Sequence, residues 1–219
     1  SDAEVSGATF VRNMASGTWD TTEYRSDAGA IAVIGFSIEV RASRFEGNVA
    51  SYAGAILVDG AEMLLSDSVL FGNFAETHAG AVQLIRGAAA VVESCHFLSN
   101  VVWSRGEEQL GGAFRISDGS ALAAYHTVFE DHVGMRGGTF HTGDSEMELH
   151  NVTIRDSYSP TGGGCIWSEG SALKVHSSVL ERCDAQWEYG SQSGLEREYN
   201  PDIESYFSSV DGGGIMATG

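Results

Sequence analysis

The sequence predicts an all-β fold: a single-stranded parallel β-helix, or solenoid, of about seven rungs of about 25–26 residues with three strands per rung. Three observations lead there. A Gly-small-apolar triplet recurs along the chain, an apolar-x-x-Asn signature recurs in the same register, and the residues between them alternate apolar and polar with period two. No helical pattern of ten or more residues competes anywhere.

The triplets are Gly29-Ala30-Ile31, Gly54-Ala55-Ile56, Gly80-Ala81-Val82, Gly112-Ala113-Phe114, Gly138-Thr139-Phe140, Gly164-Cys165-Ile166 and Gly213-Gly214-Ile215, in steps of 25, 26, 32, 26, 26 and 49 residues. Each opens a rung. In the second repeat, Ile31 and Val33 are followed by Gly35, then Ile38 and Val40, then Ser43 and Phe45, then Asn48. Ile56, Val58, Gly60, Met63, Leu65, Ser68 and Leu70 fill the same places in the third, and Ile166, Ser168, Gly170, Leu173, Val175, Ser178 and Leu180 in the sixth. Stacked about 4.8 Å apart, equal positions become ladders. Phe45, Leu70, Phe97, Phe129, Ile154 and Leu180 form a buried ladder, and Asn13, Asn48, Asn73 and Asn100 form an amide ladder at a turn. The Asn column then decays to His132, Ser157 and Cys183.

Composition narrows the function classes. Of 219 residues, 12 are Lys or Arg and 30 are Asp or Glu, a net charge of −18, which excludes nucleic-acid binding by phosphate neutralisation. Hydrophobic residues make up 42% of the chain without any run near the roughly 18 residues that a membrane helix needs. The 28 glycines, against 2 prolines, sit between short β-type segments and not in a low-complexity tract.

The paired Gly-Gly-Ala-Ile and Phe-x-x-Asn motifs resemble the repeats of polymorphic outer membrane proteins, over nearly the whole chain from Phe10 to Ile215. The resemblance implies a right-handed coil and an extracellular or cell-surface setting, as in autotransporter adhesins and large surface proteins. It specifies a fold better than a function.

The longer repeat steps place extra residues at one point, between the Asn column and the next triplet. Insertions at 16–28, 101–110 and 184–211 fall on repeats one, four and seven, so they emerge from one edge about every 14 Å. Each brings a tryptophan, Trp19, Trp103 and Trp187. Tyr24 accompanies the first, Tyr189, Tyr199, Tyr206 and Phe207 the last, and carboxylates such as Glu107, Glu108, Glu196 and Glu198 are interleaved. Aromatic and acidic residues together suit sugar rings, cations or a basic protein partner. Two placements remain open for each tryptophan: reaching a partner, or folding back onto the wall of the cylinder.

The outward column after the triplet reads Ala32, Leu57, Gln83, Arg115, His141, Trp167 and Met216, with no carboxylate in the row. Adjacent Asp-Asp, Gly-His-Gly and Arg-x-Lys, motifs of polysaccharide-cleaving β-helices, are missing, and Lys174 is the only lysine. No catalytic residue is assigned. His150 and His176 share a column with His126 one position away, and Glu130, Asp131 and His132 cluster locally; both groups are expected to be solvated turns without a metal. No EF-hand or nonapeptide Ca²⁺ repeat occurs, so the expected cofactor is none beyond loosely held Ca²⁺ around the acidic surface.

Of the three cysteines, Cys165 and Cys183 flank the enlarged-turn edge within one rung and form the candidate disulfide, while Cys95 lies next to the Phe97 ladder and packs as a small apolar residue. Asn151-Val152-Thr153 is the one glycosylation sequon, at a predicted turn. The chain, 1–219, reads as a single β-helix domain whose two ends cut through a rung, as expected of a segment of a longer repeat protein or of one whose ends neighbours cover. The resulting expectation is a non-catalytic structural or adhesive surface module. Its partners are other subunits, neighbouring domains or a glycan. The alternatives are a carbohydrate-binding or polysaccharide-cleaving β-helix, and a filament subunit stacking end to end.

Overall fold

The computed structural model describes residues 3–15, 28–103, 110–185 and 214–218. Among these, every strand pairing is parallel and there is no helix. Three seven-stranded sheets run the length of the solenoid. The first stacks Ala3–Ser6, Ile38–Arg41, Glu62–Ser66, Ala89–Glu93, Ala121–Tyr125, Glu146–His150 and Ala172–His176. The second stacks Thr9–Val11, Arg44–Glu46, Val69–Phe71, His96–Leu98, Val128–Glu130, Thr153–Arg155 and Val179–Glu181. The third stacks Ile31–Ile34, Ile56–Asp59, Val82–Ile85, Phe114–Ser117, Phe140–Gly143, Ile166–Glu169 and Ile215–Thr218. The chain visits third, first and second sheet in turn, so neighbours within a sheet are one repeat apart.

A short fourth ladder follows the Asn column. Val49–Ala50, Phe74–Ala75 and Val101–Val102 pair in it, as do Tyr158–Ser159 and Asp184–Ala185, with single bridges at Met14 and Val133 completing the column. Two-residue strands carry no periodicity, which is why the sequence reads this stretch as a plain turn.

The corners explain how a coil this narrow closes. Between the first and second sheets the chain passes through one left-handed residue per rung, Ala42, Asp67, Ser94, His126, Asn151 and Ser177 among them. The residue after it is buried, and where it is Ser43, Ser68, Thr127 or Ser178 its hydroxyl ties adjacent rungs. Ser43 N–H donates to Ser68 Oγ at 3.0 Å while Ser43 Oγ donates to the Arg41 carbonyl at 2.7 Å. The triplet glycines have a different cause: a Cβ on Gly54 would collide with the carbonyl oxygen of Gly80 on the next rung, an approach that only glycine permits.

The core is one continuous column from Val33 to Cys183. Phe45, Leu70, Phe97 and Phe129 are fully buried, with Phe97 and Phe129 stacked at 4.8 Å between ring centroids. Burying such rings contributes roughly 1.5–3 kcal/mol each, and stacked pairs add about 0.5–1.5 kcal/mol. Cys95 is buried as expected, and burial pushes its thiol up to about 11. The candidate disulfide is present: Cys165 and Cys183 are bridged, with Cα atoms 5.1 Å apart.

Candidate functional site

The three insertions share one edge. Their described flanks leave from the short fourth ladder, at Met14, Val101–Val102 and Asp184–Ala185, and return at Ala28, Leu110 and Gly214, beside the third sheet. Trp103, at the start of the second insertion, is 56% exposed, so its ring does not fold back onto the wall. Trp19, Tyr24, Glu107, Glu108, Trp187, Tyr189 and Tyr199 lie outside the described residues, as do Glu196 and Glu198.

Next to this edge, the outward column of the third sheet departs from its sequence reading. Ala32 is exposed, but Leu57, Gln83 and His141 are buried even though they point away from the core. The turns ahead of the triplets fold over them. The His78 ring packs at a tilt of 40° against Tyr52, 4.6 Å between centroids, and its Nδ1 lies 3.4 Å from Gln83 Nε2; the Arg136 guanidinium sits 5.5 Å above the Trp167 ring, and Gly162 abuts Trp167 and Met216. A linear reading of the strand does not show this cover, because it comes from a segment outside the strand.

Gln83, Arg115, His141 and Trp167 follow one another on successive rungs, in register. Gln83 Oε1, both His141 ring nitrogens and Trp167 Nε1 are buried without a hydrogen-bond partner among the described residues. Such atoms are costly to strand and call for a ligand, a water or a covering segment. Burial, with the charges of Arg115 and Arg136, holds the His141 imidazole down at about 3, so it is neutral at physiological pH. Glu169 Oε2 approaches its Nε2 to 3.9 Å, beyond hydrogen-bond range. In a chain of net charge −18, two guanidiniums, a neutral imidazole and an indole therefore form a local cationic and aromatic patch that suits a carboxylate or a sugar ring.

The Glu130-Asp131-His132 cluster is not a solvated turn as a unit. Asp131 is exposed and left-handed, and that twist sends His132 to full burial in the Asn column. Asn151 is exposed, also at a left-handed corner, while Val152 of its sequon is buried and Thr153 half-buried. His150 and His176 are in register on the outer face of the first sheet, with His126 one position off the column beside Tyr125.

This architecture defines a class, a parallel β-helix solenoid built from repeats. Comparison with protein-family models, with curated proteins and with solved structures finds no match to this chain. Among the described residues no helix is long and apolar enough to cross a membrane.

Proposed function

We propose that the chain is a non-catalytic structural and adhesive β-helix module of the cell surface or extracellular space, binding a partner along the edge that carries its insertions. The observation that carries this reading is the exposure of Trp103 on that edge, beside buried polar atoms of Gln83, His141 and Trp167 that have no hydrogen-bond partner among the described residues. An exposed indole at the rim of a polar patch is a typical binding anchor. The continuous ladders behind it supply a rigid support on which contacts can be held in fixed register.

The test is retention of the purified chain on surface material from its source. Trp103→Ala lowers retention by about tenfold or more while leaving the melting temperature unchanged. Unchanged retention would overturn the reading.

A carbohydrate-binding or carbohydrate-cleaving role is the second reading, favoured by Arg115, His141 and Trp167 on successive rungs with Arg136 above them. It expects acidic oligosaccharides to bind in an Arg115-dependent way, and a cleaving form releases new reducing ends. Binding that survives Arg115→Ala and Arg136→Ala together would remove it.

A further inference from the structure

The outer face of the first sheet carries a cluster that the loop edge does not use. In the strand Glu146–His150 the burial alternates, Met147 and Leu149 facing the core and Glu148 and His150 facing out. His176 follows His150 in register on the neighbouring strand. The fold therefore brings two imidazoles and a carboxylate onto one rigid patch. His150 Nε2 lies 2.7 Å from Glu148 Oε1, His176 Nε2 lies 4.0 Å from the same oxygen, and the three ligand atoms are all within 4.8 Å of one another.

The orientation is supported from behind. The His150 and His176 rings stack at 4.6 Å and 15°, and the Tyr125 ring stacks on the far side of His150 at 5.2 Å and 14°. These side chains are half-buried, leaving the outer side of the cluster open to water. The hydrogen bond with His150, and the nearby Lys174 charge, hold the Glu148 carboxyl below the usual carboxylate range, so it is an anion at neutral pH.

We propose that Glu148, His150 and His176 form a binding site for a borderline transition-metal dication, Zn²⁺, Cu²⁺ or Ni²⁺, with water completing the coordination. Two imidazole nitrogens and one carboxylate oxygen match the donor preference of these ions. Ca²⁺ and Mg²⁺ prefer all-oxygen sets, so they do not compete. Modest side-chain rotation brings the three donors to bonding distance, because Zn–N and Zn–O bonds of about 2.0–2.2 Å place ligand atoms closer together than the resting 4.8 Å. Lys174, in register with Glu148, opposes an incoming dication, and its removal tightens the site.

Titration of the purified chain with Zn²⁺ alone, followed by calorimetry and by the imidazole resonances of the histidines, tests this. The expected result is one saturable Zn²⁺ equivalent that shifts the His150 and His176 signals and not that of His126, and that survives millimolar Ca²⁺. His176→Ala and Glu148→Gln each weaken it by about tenfold or more, and His126→Ala leaves it unchanged. Equal Zn²⁺ binding by wild type and a His150→Ala/His176→Ala double variant would overturn the proposal, since the ion would then be held by the diffuse acidic surface. So would displacement by Ca²⁺ or an absence of saturable binding. These side chains face solvent, and a matching melting curve confirms that each variant is folded.

Discussion

The backbone N–H of Asn100 donates to Nδ1 of His132 on the next rung, across 3.1 Å. It is the same bond that joins each asparagine to the next: Asn13, Asn48 and Asn73 each donate N–H to the Oδ1 of the following amide at 3.0 Å, and the side-chain amides add a second bond at 2.8–2.9 Å. The imidazole thus substitutes for an amide oxygen as an acceptor and extends the ladder by one rung. Beyond it, Ser157 bonds Thr139 at 2.7 Å and Cys183 bridges Cys165, each across its own rung, so where the asparagines stop the column is tied within a rung and not to the next one.

Replacing His132 tests that equivalence. His132→Asn retains an acceptor for Asn100 and changes stability by under about 1 kcal/mol, whereas His132→Ala strands a buried N–H, leaves a void and costs about 3 kcal/mol. Urea denaturation of both variants measures the difference.

Acid sensitivity follows from the same residue and from His141. Burial lowers both imidazoles to about 3 from an ordinary value of 6.5, so between these limits the unfolded chain binds protons that the folded chain refuses. Their stabilising contribution is complete above pH 6.5 and is lost progressively as the pH falls towards 3. At pH 5 the loss is about 2 kcal/mol for each imidazole. Denaturation midpoints at pH 7 and pH 5 report it, and His132→Asn removes about half of the drop. Glu130, Glu148 and Asp156, held low by His or Arg partners, add to acid lability only at still lower pH.

Phe97 lies between Leu70 and Phe129 in the buried ladder and touches Phe114 across the core at 5.1 Å. Phe97→Ala costs about 3–5 kcal/mol, read by equilibrium unfolding. A loss below about 1 kcal/mol would mean that the ring is not a core element.

Reduction of Cys165–Cys183, which are separated by 18 residues, releases a loop whose closure stabilises the fold by about 3 kcal/mol. The melting temperature of the reduced chain, or of Cys165→Ser/Cys183→Ser, is expected to fall accordingly. Cys95 stays unmodified by thiol reagents in the folded protein because it is buried and its thiol is held at about 11.

The repeats are legible in the sequence where a position has one physical demand. The Phe45 column must be apolar, the Gly54 column must lack a Cβ, and the Asn48 column must both accept and donate, so each recurs visibly. Other features need the third dimension. His132 looks like part of an acidic turn until the left-handed Asp131 rotates it inward. Gln83 and His141 look solvent-facing until the turns carrying His78 and Arg136 cover that sheet. Glu148 was legible as Glu-x-His on one strand face, but alignment by histidine column alone draws the eye to His126 instead.

If the chain binds as proposed, the edge with the insertions is its binding face. A photo-crosslinking residue placed at Trp103, and separately at Val91, an exposed position on the outer face of the first sheet, tests it most directly on surface material from the source. One discrete covalent adduct is expected from position 103 and none from position 91. Absence of an adduct at 103, or equal labelling from both positions, would contradict it.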